Sequence, residues 1–79
     1  MNTEYYIVKR TDDNLAVDYL SAITGNYTSF YSDYLNAIEI STQAIASAFK
    51  DYCVAKDSVN TYGVVRVQVT LTDVVLNEV

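Results

Sequence analysis

Few side chains in this sequence could carry out chemistry. It contains no histidine, the residue that most often serves as a metal ligand or as an acid–base catalyst near neutral pH. Its single cysteine, Cys53, could act as a nucleophile only if it were exposed with a lowered pKa. Cys53 instead falls on the apolar stripe of a predicted helix, where free cysteines usually pack in the core. The two glycines, Gly25 and Gly63, are too far apart to form a phosphate-binding loop. These residues predict that the protein is not an enzyme.

The adjacent carboxylates Asp12 and Asp13 are the best candidates for metal ligands. A hard cation such as Ca²⁺ takes about six or more oxygen atoms from a loop with a defined spacing, and that spacing is absent. The segment 11–14 (Thr-Asp-Asp-Asn) is instead typical of a hairpin turn, because its short polar side chains can bond to the local backbone. We therefore expect neither a metal nor a cofactor.

Aromatic side chains are concentrated in the acidic part of the chain. The formal net charge is −5, and residues 11–39 contain five acidic residues and no lysine or arginine. Such a surface disfavours direct binding to nucleic acid, which relies on basic side chains. Tyrosine and phenylalanine contribute large contact areas at protein interfaces, although small domains also use them to complete a thin core. The leading hypothesis is a non-catalytic interaction module that binds an unknown protein through Tyr27, Phe30, Tyr31, Asp33 and Tyr34.

The elements that would position these residues are clearest in the second half of the chain. Apolar and polar residues alternate over 64–72, which predicts a strand. The preceding segment 41–56 has helical periodicity, with Ser41 as the expected N-cap. Ile40 and Ile45 would form a hydrophobic staple at the start of this helix. Its apolar stripe is predicted to contact one face of the strand, with Ile45, Phe49 and Tyr52 packing on Val65, Val67, Val69 and Leu71.

The first half of the chain predicts a hairpin. Residues 5–10 have strand composition, and 15–22 fit either a second strand or a helix capped by Thr11. A turn is expected at 24–26, followed by irregular structure over 27–35 with one helical turn near 33–37. The fold class is therefore a single α+β domain (1–79) with a small, mainly antiparallel sheet of three to four strands and one principal helix on one face. The expected order is β-β-short turn-α-β.

The last segment, 73–79, has no evident partner within the chain. Asp73 interrupts the alternation, and the segment would be either a mobile tail or a pairing strand, joined through a bulge at 72–73. An unpaired apolar strand is a site for a second chain. The alternative function is therefore that of a homo-oligomeric assembly protein, such as a homodimer. Its copies would pair through Val74, Val75 and Leu76. A third hypothesis is an acidic mimic of nucleic acid that inhibits a basic host enzyme.

Four groups of residues together resemble a type of small uncharacterised protein common in phages and prophages of Gram-positive bacteria. They are the first strand at 5–8, Tyr-Ser-Asp at 31–33, the helix entry (Ala37, Ile40-Ser41 and Ala46), and the valine-rich final strand. The resemblance implies the same order of elements and a phage accessory role, but no activity. A lone cysteine, the lack of a signal peptide and the absence of an apolar run of about 20 residues predict a protein of the bacterial cytoplasm without membrane contact.

Overall fold

A computed structural model describes residues 3–79 and contains one five-stranded antiparallel sheet and one α-helix. The α+β class with one principal helix is thus confirmed, whereas the predicted number of three to four strands is wrong. The strand order across the sheet is β3-β2-β1-β4-β5. The elements are β1 (Thr3–Thr11), β2 (Val17–Thr24), β3 (Tyr27–Tyr31), a 3₁₀ turn (Tyr34–Asn36), α1 (Gln43–Lys56), β4 (Thr61–Val69) and β5 (Val74–Glu78).

β1 and β4 form the centre of the sheet. They pair over nine residues, from Thr3 with Val69 to Thr11 with Thr61, and both are rich in the aromatic and β-branched residues that favour strands. The strand predicted at 5–10 is therefore confirmed, and the strand predicted at 64–72 is confirmed over 64–69. The alternation does not extend through Leu71, however, because the backbone N–H of Thr70 donates to the carbonyl of Asp73 and closes a hairpin turn. Leu71 is exposed in that turn.

β2 and β3 form a second hairpin. Gly25 in its turn has a φ of +60°, a conformation that glycine adopts without steric cost. Residues 17–24 are a strand rather than a helix, and β2 contains a bulge between Leu20 and Ala22. The prediction of irregular structure over 27–35 is wrong for the first five of these residues, which form β3. The predicted helical turn is confirmed as the 3₁₀ turn, and its N-cap Asp33 accepts a hydrogen bond from the N–H of Leu35.

The segment before α1 fills a gap in the sheet. β1 and β2 pair only over Lys9–Thr11 and then separate. Ile40 exchanges two backbone hydrogen bonds with Tyr6, and the N–H of Ile38 donates to the carbonyl of Leu20. Residues 37–40 thus lie between the two strands and set the direction in which the chain enters the helix.

α1 begins one residue later than expected. Thr42, rather than Ser41, is the N-cap, and its hydroxyl accepts a hydrogen bond from the N–H of Ile45 at 3.2 Å. The buried side chains of the helix are Ala46 and Cys53, with Phe49 partly buried. Ile45 is 47% exposed, so the predicted staple and the predicted stripe are both wrong at this residue. No helix among the described residues is long and apolar enough to cross a membrane.

The helix covers the face of the sheet opposite to the one predicted. Ala46 and Cys53 pack in a cluster with Val8, Leu20 and Val64. Neighbouring residues of a strand point to opposite faces, so Val65, Val67 and Val69 point away from the helix. They pack in a separate cluster with Ile7. The expected contact between these valines and the helix is therefore wrong.

Candidate functional site

One face of the sheet lacks a covering helix, and we call it the helix-free face. At its centre Ile7 and Val67 are 0% exposed, because the chain around Ala37 and larger side chains on the neighbouring strands close over them. Around this centre lies a ring of partly buried side chains. Its members are Tyr5, Tyr19, Tyr34, Val69 and Leu76.

Tyrosines form one side of the helix-free face. Tyr31 on β3 lies directly across from Tyr19 on β2, so the two side chains share a face, and Tyr31 is 56% exposed. Burial raises the pKa of the Tyr5 phenol, and the nearby Glu39 carboxylate and Tyr34 raise it further. Tyr5 therefore stays neutral near physiological pH and keeps a hydroxyl group that can donate a hydrogen bond.

β5 forms the other side of the helix-free face. Residues 74–78 pair with β4 from Val69–Val74 to Val65–Glu78, so the segment predicted as either a mobile tail or a pairing strand is a strand of the chain's own sheet. The postulated bulge is replaced by the 70–73 turn. Val74 and Leu76 share the helix-free face with their partners Val69 and Val67, whereas Val75 points to the other side.

An ion pair bounds this side of the face. The Lys9 ammonium and the Glu78 carboxylate are 2.5 Å apart. They join β1 to β5 across β4, which lies between them in the sheet. Since Glu78 is the last residue of β5, the ion pair links the end of β5 to the central strand β1.

The structure separates the residues predicted as one partner-binding patch. Tyr31 and Tyr34 lie on the helix-free face, and Tyr27 is 81% exposed at the start of β3. Phe30 points to the helix side, where its ring centroid lies 6.1 Å from that of Tyr62. Asp33 is occupied in capping the 3₁₀ turn. The patch is therefore a tyrosine row without Phe30, and it continues into apolar residues that the sequence did not associate with it.

A polar cluster on the helix side was not predicted. Arg10 donates two hydrogen bonds to the carboxylate of Asp18, at 2.9 and 2.6 Å, and its guanidinium lies 3.8 Å from the Phe30 ring centroid. The bonds to Asp18 raise the pKa of Arg10, so the guanidinium keeps its positive charge beside this carboxylate. The two residues face each other across the first hairpin. In the sequence, the only indication of this ion pair was that Arg10 and Asp18 carry opposite charges in neighbouring strands.

Asp57 and Tyr62 lie beside this pair at the end of α1. Asp57 accepts hydrogen bonds from the Tyr62 hydroxyl at 2.7 Å, the Asn60 amide at 2.7 Å and the N–H of Val59 at 2.9 Å. These bonds hold the pKa of Asp57 well below its usual value, and burial with the Asp57 bond raises the pKa of Tyr62 to about 12. Neither group is poised to transfer a proton near neutral pH. The cluster holds the helix end against β4.

The remaining reactive groups lie apart from the helix-free face. Cys53, on the side of α1 that packs on the sheet, is buried, and this burial raises the pKa of its thiol. Within residues 3–79 no group of three or more side chains of the metal-binding types comes together. Comparison of the chain with protein-family models, with curated proteins and with solved structures found no match.

Proposed function

We propose that the protein is a non-catalytic protein-interaction module that binds its partner through the helix-free face. The observation that carries the proposal is the asymmetry of the sheet. One face is covered by α1, while the other bears tyrosine, valine and leucine side chains that remain partly or largely exposed. Exposed apolar side chains grouped on one face of a small protein mark an interaction site.

The composition of the helix-free face suits a protein partner. Its tyrosines offer flat apolar rings with a polar hydroxyl, the side-chain type enriched at interface centres. Tyr31 and Val74 on the outer strands are exposed, whereas Ile7 on the central strand between them is fully buried. A partner would therefore meet a preformed surface and would need to order few side chains on binding.

Charge adds a constraint on the partner. The chain carries a net charge of −5, and the Glu39 carboxylate lies close to Tyr5 on the helix-free face. A matching partner presents an apolar patch with basic residues at its rim, since complementary potentials speed association and select partners. Together with the resemblance to phage proteins, this supports a phage accessory protein that binds a protein of its bacterial host in the cytoplasm.

Two valines with similar exposure allow a matched test. Val74 is 40% exposed on the helix-free face, and Val54 is 49% exposed on the outer side of α1. Tagged wild type, Val74→Lys and Val54→Lys would be used to capture proteins from host lysate, with circular dichroism to show that all three fold. We expect the same partner with wild type and Val54→Lys, and its loss with Val74→Lys. Retention by Val74→Lys and loss by Val54→Lys would assign binding to the helix side.

The two other hypotheses differ in their support. Assembly through the final strand is favoured by the position of β5 at an edge of the sheet, where one side of the strand is open to another chain. Acidic mimicry requires carboxylates grouped on one surface. Asp18 lies on the helix side and Glu78 on the helix-free face, and each is neutralised by its own cation. These carboxylates therefore do not form the single acidic surface that mimicry of nucleic acid requires.

A further inference from the structure

β3 is an edge strand without the features that usually prevent edges from pairing. Natural edge strands carry charged residues, proline or a bulge that discourages another strand from joining. The sequence of β3, Tyr-Thr-Ser-Phe-Tyr, contains no charge, proline or glycine, and the bulge in this hairpin lies on β2 instead. The opposite edge, β5, ends in Asn77 and Glu78. The two edges of the sheet are therefore not equivalent.

The side chains of β3 alternate strictly between the two faces. Tyr27, Ser29 and Tyr31 are exposed, and Thr28 and Phe30 are partly buried. Phe30 packs on the helix side, so the three exposed residues belong to the helix-free face. They present a symmetric pattern of tyrosine, serine and tyrosine along the open edge.

This pattern is complementary to itself. If a second copy pairs antiparallel about a two-fold axis at Ser29, Tyr27 lies opposite Tyr31 of the second copy, and Thr28 lies opposite Phe30. Aromatic and aromatic–β-branched pairs are among the favourable cross-strand neighbours. The same operation on β5, with its axis at Leu76, would place Val74 opposite Glu78, and Glu78 is already paired with Lys9.

We propose that the protein forms a symmetric homodimer in which the β3 strands of two copies pair antiparallel about Ser29. The two sheets then join into one continuous sheet with both helices on the same side. The helix-free faces of the two copies lie side by side. The dimer and the proposed partner contact share Tyr31, but Val74 on β5 lies at the opposite edge of the sheet, so different substitutions test the two.

Charge reversal at the symmetry axis tests the dimer. Ser29 is exposed, and the hydrogen bond that it accepts from Ser21 uses its backbone carbonyl, so substitution leaves that bond intact. In Ser29→Lys two ammonium groups would face each other across the axis, as would two carboxylates in Ser29→Asp. We expect sedimentation to show a dimer for wild type, monomers for each variant alone, and a restored heterodimer in their equimolar mixture. Because one strand pair is a small interface, the measurement spans about 1 to 500 µM.

Asn77→Lys on the opposite edge serves as the control. It should leave the dimer intact, whereas loss of the dimer in Asn77→Lys and its persistence in Ser29→Lys would move the contact to β5. A wild type that remains monomeric over the whole concentration range overturns the proposal, as does a mixture that fails to restore the heterodimer. Neither result affects the capture experiment with Val74→Lys. Circular dichroism of each variant separates loss of pairing from loss of folding.

Discussion

The packing on the two faces of the sheet makes a direct prediction about stability. Ile7 is 0% exposed although no helix lies over it, whereas Ile45 on α1 is 47% exposed. Replacing isoleucine by valine removes one methylene group, worth about 0.8 kcal/mol when fully buried. With the cavity left behind, Ile7→Val should lower the free energy of unfolding by about 1 kcal/mol. Ile45→Val should cost about half of the methylene value or less, because isoleucine and valine have similar helix propensities.

The assay is urea unfolding followed by far-UV circular dichroism, with thermal unfolding as a second measurement. For a domain of this size a loss of about 1 kcal/mol corresponds to a fall in Tm of roughly 4–8 °C. The slope of the free energy against urea should not change, since both variants expose the same surface on unfolding. A larger loss for Ile45→Val than for Ile7→Val would mean that the helix carries the core through Ile45, and it would refute the assignment of the two faces.

The pH dependence of stability and the helix cap give three further predictions. The depressed folded-state pKa of Asp57 means that its contribution is complete above its unfolded value of 3.8 and is lost as the pH falls below it; Asp57→Asn should reduce the acid-side loss seen by circular dichroism. Tyr62, with a pKa raised to about 12 from 10.0, stabilises the fold fully below pH 10 and loses this contribution between the two values; absorbance titration of Tyr62→Phe should show one late-titrating tyrosine fewer than wild type. Thr42→Ala should lower the free energy of unfolding by about 1 kcal/mol, while Ser41→Ala leaves it nearly unchanged; equal losses in urea unfolding would contradict the N-cap assignment.

The sequence was sufficient to predict the central strands β1 and β4 and the helix, but not which face of the sheet the helix covers. Alternation along 64–69 shows that one side of a strand is apolar, and the natural inference is that the helix packs there. In the structure the valines of that side form the second cluster, and Val64 contacts the helix side instead. Which face the helix covers depends on how residues 37–40 enter between β1 and β2. That contact joins segments far apart in the sequence, so hydrophobic periodicity does not reveal it.

β3 and the polar cluster illustrate the same limit. Phe30 and Tyr34 have helical spacing, which obscured a short strand whose existence depends on pairing with β2. Arg10 and Asp18 meet because the register of the first hairpin places them directly opposite each other on β1 and β2. By contrast, the turn at Gly25 and the helical turn near 33–37 follow from local backbone preferences, and both were predicted.

Photo-crosslinking in host cells is the most direct test of the helix-free face as the binding surface. A photoreactive p-benzoylphenylalanine would replace Val74 on that face in one variant and Val54 on the outer side of α1 in another, and mass spectrometry would identify the crosslinked proteins. We predict a specific host protein crosslinked from position 74 and none from position 54. Crosslinks to a host protein from position 54 alone would contradict the assignment of binding to the helix-free face.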